Sequence, residues 1–390
     1  MSKQVTDSVI ASKIYKKKNS FEEFHVPKGA TSLSDQTSRA LRILDALDKK
    51  KGLKKDPILF EIRNDLEKSG VEETSFSLTP FVADEMNLIS DADLPRYLFH
   101  RYRYEIFPGE QRLDDYPPYL QLEPSSICNF RCVFCYQTDI EFSARRSGYM
   151  GNMKLDLFKT VIDQAEGNVE FLSFASRGEP LVNKDFSKML EYCVGKFLNL
   201  KVNANASLLT EEKCHALLAG GATTVVFSAD AADDPLYSQL RVNGNLDQVR
   251  QNIENFQRIR ETQYSSVPMI SRVSGVMVDE SQDMGSMKRA WGGMVDQISF
   301  VTYNPWENVY QAPHSRVKSH CSDLWRRMFV WYDGVVNPCD TDYKSKLKVG
   351  NINDQSLSDI WRSGNYENLR SIHRNRERAQ VSPCNRCVVV

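Results

Sequence analysis

The chain has 390 residues, 41% of them hydrophobic, enough to fill one large core and one or two smaller ones. With 50 basic and 51 acidic side chains its formal net charge is -1, so no global field draws it to nucleic acid or to an anionic membrane. No run approaches the roughly twenty apolar residues of a membrane span, and the N-terminus has no signal-peptide core, so a cytoplasmic protein is expected.

Residues 1 to 33 are polar, with a Lys16-Lys17-Lys18 cluster, and read as a flexible arm. Ala40, Leu41, Ile43, Leu44 and Leu47 then share one helical face, with Ser34 or Asp35 as cap. A basic turn over 49–55 ends that helix, and further helices are expected near 57–68, 80–86 and 93–104. Residues 1–112 therefore form a helical accessory region.

Tyr116-Pro117-Pro118 marks a boundary, because consecutive prolines cannot continue a helix. Strands follow at 119–123, 169–175, 200–204, 224–229, 269–278 and 297–302, rich in β-branched and aromatic residues. Helical patterns lie between them at 154–166, 184–197, 211–219, 246–261 and 284–292. Strand and helix in regular alternation predict a parallel α/β sheet curled into a partial (β/α)6 barrel over 113–313, with chemistry at the C-terminal strand ends.

The first strand delivers Cys128, Cys132 and Cys135, three thiols within eight residues. Three such ligands suit three corners of an iron–sulfur cube and leave one iron open, whereas structural zinc wants four. The second strand ends in Ser176-Arg177-Gly178-Glu179-Pro180, where Glu179 can accept from an ammonium. Asn205 follows the third strand, and Ser228 and Asp230 share a face after the fourth. Arg241 offers a guanidinium suited to a carboxylate, and Tyr303 and Glu307 stand at the rim after the sixth strand.

Nine cysteines in an intracellular-looking chain favour metal or catalytic use over disulfides. Cys193 and Cys214 lie in helical patterns and read as small apolar side chains. In the last part, 314–390, Asp333-Gly334 between apolar residues predicts a hairpin with a tight two-residue turn. Cys321, Cys339, Cys384 and Cys387 can together close one metal site, either an iron–sulfur cluster or a structural zinc.

The Cys-x3-Cys-x2-Cys loop followed by Tyr136 resembles the signature of the radical S-adenosylmethionine (radical SAM) superfamily. The C-terminal four-cysteine array, with Val349-Gly350-Asn351-Ile352 and an amphipathic helix, resembles its SPASM/Twitch subgroup. The resemblance implies that Cys128, Cys132 and Cys135 hold a 4Fe-4S cluster whose open iron chelates SAM. An electron from that cluster yields a 5'-deoxyadenosyl radical that abstracts a hydrogen atom from substrate. It also implies that Tyr136, Gly178, Glu179, Asn205, Ser228, Asp230 and Arg241 contact SAM, and that Arg131 and Phe134 shield the cube. Arg177 departs from the family pattern, which has glycine there. Since the chain stops three residues after Cys387, one auxiliary 4Fe-4S cluster, a Twitch-like arrangement, is expected.

Full thiolate ligation suits that second cluster to electron relay, and so the chain to two-electron oxidation of a sugar or other hydroxylated metabolite, with Tyr303 or Glu307 as base. A flavodoxin- or ferredoxin-type reductant and a small-molecule substrate are the expected partners. The alternatives are maturation of a ribosomal peptide and a non-enzymatic iron–sulfur or zinc sensor.

Overall fold

The computed structural model describes residues 21–69, 71–278 and 281–390, so the expected basic cluster at Lys16-Lys17-Lys18 lies outside the described residues. In the N-terminal region, strand β1 (Phe21–His25) is followed by helices α1 (Leu33–Lys51), α2 (Pro57–Lys68), α3 (Pro80–Met86), α4 (Leu94–Glu105) and α5 (Phe107–Glu110). Asp56 and Thr79 cap α2 and α3, each ahead of a proline whose missing N–H costs a first helical turn nothing. The helices enclose their own core around Leu44, Ile62, Met86 and Leu98, which reaches the barrel through Tyr119 and Phe171.

Two expectations are corrected here. Residues 21–25 do not belong to a flexible arm: β1 pairs antiparallel with a barrel strand, Phe24 opposite Ser299. The first helix is capped by Ser32, whose hydroxyl accepts from Asp35 N–H at 3.2 Å, rather than by Ser34 or Asp35.

The barrel follows as β2 (Tyr119–Leu122), β3 (Arg131–Cys132), α6 (Ile140–Ser143), α7 (Leu155–Ala165), β4 (Phe171–Phe174), α8 (Phe186–Cys193), β5 (Asn199–Ala204) and α9 (Glu211–Ala219). It continues as β6 (Thr224–Ser228), α10 (Asp234–Leu240), β7 (Arg241–Val242), α11 (Leu246–Gln263), β8 (Ile270–Met277), α12 (Met284–Trp291) and β9 (Gln297–Thr302). β2, β4, β5, β6, β8 and β9 are parallel neighbours in that order, as the alternation predicts. The short elements β3, β7, α6 and α10 carry too few residues for a periodic signal.

The C-terminal part contains α13 (Asp323–Arg326), β10 (Arg327–Val330), β11 (Val335–Asn337), β12 (Gly350–Asn351), α14 (Leu357–Trp361) and α15 (Gly364–Arg374). β10 pairs parallel with β2, so one ten-stranded sheet runs from β1 to β12. Met328, Val330, Ile360 and Trp361 join the same core as the barrel helices. The expected hairpin is present, but its turn is longer than two residues: it spans residues 331–334, closed by Gly334 N–H to Trp331 O at 3.0 Å. Gly334 has φ 87°, a left-handed value that favours glycine.

Candidate active site

The C-terminal ends of β2, β4, β5 and β6 meet at a cavity of about 190 Å3. Cys128, Cys132 and Cys135 line it, as do Gly178, Glu179, Asn205, Ser228 and Arg241. The thiol loop is built by short-range pairing. β3 lies antiparallel to β7, which sets Cys132 opposite Arg241, and an Arg241 Nη1 proton is donated to Cys132 Sγ at 3.7 Å. Phe130 N–H is donated to Cys128 Sγ at 3.4 Å. Arg131 holds the loop from outside through Cys128 O and Phe130 O, at 2.9 and 2.7 Å.

Gly178 is required by close approach. A Cβ there would stand 2.4 Å from the Ser126 carbonyl carbon and 2.5 Å from Ser125 O, inside the backbone that feeds the thiol loop. The neighbouring Gln137 amide donates to Ser126 O at 2.8 Å and to Arg177 O, joining the loop to the end of β4.

The electrostatics of the pocket favour a charged guest. Burial pushes the Glu179 carboxyl up to about 7 although Asn205 and Leu181 N–H donate to it, at 2.7 and 3.1 Å. Burial, then Glu179, pushes the Cys128 thiol up to about 12; burial also raises Cys132 and Cys135, with Arg241 opposing it at both. Arg241 offsets that rise only in part, and a ligated metal would supply the further positive charge that makes such thiols stable thiolates.

Asp230 and Tyr136 do not line the cavity. Asp230 is fully buried, 2.5 Å from Arg241 Nε, and accepts from Val276 N–H at 2.6 Å, so it fixes the arginine. Tyr136 donates to Ser176 O at 2.8 Å and stacks on Tyr343 with centroids 5.0 Å apart, in an aromatic cluster beneath the C-terminal part. Asn205 is steered by Asn129 and Ser207: its amide donates to Asn129 Oδ1 at 3.0 Å and its Oδ1 accepts from Ser207 Oγ at 2.7 Å.

At the rim, Tyr303 O–H donates to Glu307 Oε1, while Glu307 Oε2 is buried with no hydrogen-bond partner among the described residues. Glu307 shares a cavity of about 380 Å3 with Asp139, Tyr310 and Lys344. Burial alone would raise the Asp139 carboxyl, but hydrogen bonds from Lys344 and Tyr343 hold it below its ordinary value.

Cys321, Cys339, Cys384 and Cys387 are drawn together in the C-terminal part. Burial lifts the Cys339 thiol well above its usual range, and Asp342, Cys384 and Cys321 add to the lift; Cys384 is raised by burial and then by Cys387. Among the described residues no three His, Cys, Asp or Glu side chains close on one ion-sized point.

Sequence reasoning missed the residues that hold this second site. Arg378, 2% exposed, donates to Ser319 O, Val389 O, Cys387 O and Cys384 O at 2.9 to 3.3 Å. His373, held neutral by burial with its pKa lowered to about 3, accepts from Cys321 N–H at 3.1 Å. Both lie in a basic stretch that reads as solvated surface.

Two family models match the chain: the radical SAM superfamily over residues 122–270 and SPASM, an iron–sulfur cluster-binding domain, over 321–388. A tungsten-containing aldehyde ferredoxin oxidoreductase cofactor-modifying protein of Pyrococcus furiosus is 25% identical over 309 residues, 66% of this chain and 84% of that one. An S-adenosyl-L-methionine-dependent 2-deoxy-scyllo-inosamine dehydrogenase of Niallia circulans is 22% identical over 273 residues, 69% and 91% of the two chains. Among solved structures, Streptococcus suis SuiB bound to precursor peptide SuiA shares the fold, with TM-score 0.51 and 15% identity over 86% of this chain and 82% of that one.

Proposed function

This chain belongs to the radical SAM superfamily, in its SPASM subgroup, and from that premise we propose that it is a dehydrogenase of a hydroxylated small molecule, a sugar or an aminocyclitol. Membership makes the chain an enzyme and sets aside the reading as a non-enzymatic sensor. Its cofactors are SAM, a SAM-binding 4Fe-4S cluster and an auxiliary cluster. In the proposal Cys128, Cys132 and Cys135 hold the first cluster and Cys321, Cys339, Cys384 and Cys387 the second. Bound there, the first cluster and SAM supply one-electron cleavage to a 5'-deoxyadenosyl radical, which takes a hydrogen atom from the substrate.

The chain's own groups then have defined tasks. Glu179 receives the SAM ammonium in exchange for the backbone donors that now satisfy it. Arg241, its charge secured by Asp230, takes the SAM carboxylate. Tyr136, Phe142 and Tyr343 close the wall against water. Oxidation of a carbinol to a ketone releases a hydrogen atom, a proton and an electron. Glu307 Oε2, buried and without a partner, accepts the proton while Tyr303 steadies Oε1.

The observation that carries this reading is the gathering of four thiols at the second site. Four protein ligands leave no position for substrate, which suits that site to electron relay in a two-electron oxidation. Similarity along 91% of the Niallia circulans dehydrogenase supports the substrate class. A flavodoxin- or ferredoxin-type reductant and a cytoplasmic setting complete the proposal; among the described residues no helix is long and apolar enough to cross a membrane. Peptide maturation is the second reading, since the fold is shared with SuiB. Against it, the described N-terminal region gives its one strand, β1, to the barrel sheet and is otherwise helical.

The test is product analysis with anaerobic, reduced enzyme and SAM, offered 2-deoxy-scyllo-inosamine and a panel of sugars. A ketone formed in step with 5'-deoxyadenosine supports the proposal; turnover of a peptide and of no polyol contradicts it.

A further inference from the structure

A third cavity, of about 390 Å3, lies at the opposite end of the strands from the thiols. Tyr119, Phe171, Asn199 and Thr224, the first residues of β2, β4, β5 and β6, line it, and Phe21, Phe24 and Phe81 of β1 and α3 face them. The N-terminal region thus closes the base of the barrel without filling it.

The chamber holds two cationic groups, Arg272 and Lys201, with no carboxylate at ion-pair distance among the described residues; Glu85 acts on both, and Asp84 on Arg272, only from farther off. Arg272, 5% exposed, sits among the rings of Phe21, Phe24 and Phe81, 5.3, 5.7 and 5.0 Å from their centroids. Its Nε and Nη2 donate to Gln297 Oε1 at 2.9 and 2.6 Å, and among the described residues Nη1 has no hydrogen bond and no carboxylate lies within ion-pair distance of the group. Lys201 lies opposite Thr224 in the β5–β6 register, and neither its ammonium nor the Thr224 hydroxyl has a hydrogen-bond partner among the described residues. The acids of the wall are already engaged. Glu85 accepts from Tyr97 O–H at 2.9 Å, and Glu105 accepts from Arg101 Nε at 3.0 Å.

A guanidinium edge, an ammonium and a hydroxyl recognise an anion, and three phenyl rings beside them recognise a flat apolar body. Burying the Arg272 guanidinium with one edge unpaired is costly unless a ligand repays it. We infer that this basal chamber binds an aromatic carboxylate, its oxygens between Arg272 Nη1, Lys201 Nζ and the Thr224 hydroxyl and its ring against the phenylalanines. The site shares no lining residue with the thiol cavity.

The test is isothermal titration of the full chain, clusters reconstituted and SAM saturating, with benzoate, benzamide and inorganic phosphate. The inference expects one benzoate per chain, binding by benzamide and by phosphate each about tenfold weaker or more, and binding weakened about tenfold in Lys201→Met and lost in Arg272→Gln. Lys201 is only partly buried, so its variant keeps the test valid if Arg272→Gln does not fold. No benzoate heat, equal affinity in Lys201→Met, or phosphate binding as tight as benzoate would each overturn it.

Discussion

Arg177 grips Glu123 at two points, Nε to Oε2 at 2.7 Å and Nη2 to Oε1 at 2.6 Å, with side-chain exposures of 2% and 0%. The same arginine donates to Tyr343 O at 2.9 Å and lies 4.2 Å from the Trp331 ring, and Glu123 accepts from Tyr332 N–H at 3.2 Å. At the position where the family has glycine, this chain clamps its thiol-bearing barrel to its C-terminal part. Removing one member leaves a buried, unpaired charge. Arg177→Ala should cost roughly 3–5 kcal/mol, read as a fall in thermal midpoint, and Arg177→Met with Glu123→Leu should recover most of it. An unchanged midpoint in Arg177→Ala would refute the clamp.

Gly178→Ala should damage the first cluster selectively. The added methyl strikes the backbone of Ser125 to Ile127, just before Cys128, and that backbone is already pinned by Gln137. Iron should fall from about eight atoms per chain to about four. Retention of all eight would show that the loop can give way.

Arg378→Gln should do the converse. With four carbonyl contacts weakened around Cys384 and Cys387, the auxiliary cluster should be lost or altered in its paramagnetic spectrum, while SAM cleavage uncoupled from product continues. An unaltered auxiliary spectrum would assign Arg378 to packing alone.

His100 provides a pH test of the N-terminal region. It is fully buried, with its ring 3.8 Å from that of Phe171, and burial followed by Arg101 and Arg103 holds its pKa well below 6.5. The folded state keeps it neutral while the unfolded chain takes a proton, so stability present above pH ~6.5 is lost as the pH falls below it, by at most about 1.4 kcal/mol per pH unit. His100→Phe should flatten the stability profile between pH 7 and 5. A slope as steep as that of the parent would refute this assignment.

The barrel was legible because its six strands are apolar and its helices periodic, and the three thiols announced themselves by spacing. What the sequence hid is held by single polar contacts between distant segments. Nothing in a Glu-Pro dipeptide marks Glu123 as the partner of Arg177, and Asp230 looked like a cofactor ligand because a strand pattern gives its face but not its bond to Arg241. The strand β1 is too short and polar to rise above its flanks, yet Phe21 and Phe24 complete the basal chamber by meeting Arg272, more than 200 positions away. Tertiary context supplied these, and local propensity could not.

The central claim is that Cys128, Cys132 and Cys135 present a cluster to SAM. The most direct measurement is 5'-deoxyadenosine release by anaerobic, dithionite-reduced protein, comparing the parent with Cys132→Ala and Cys384→Ala. The account predicts release by the parent and by Cys384→Ala, and none by Cys132→Ala. Release by Cys132→Ala at the parent's rate would contradict it.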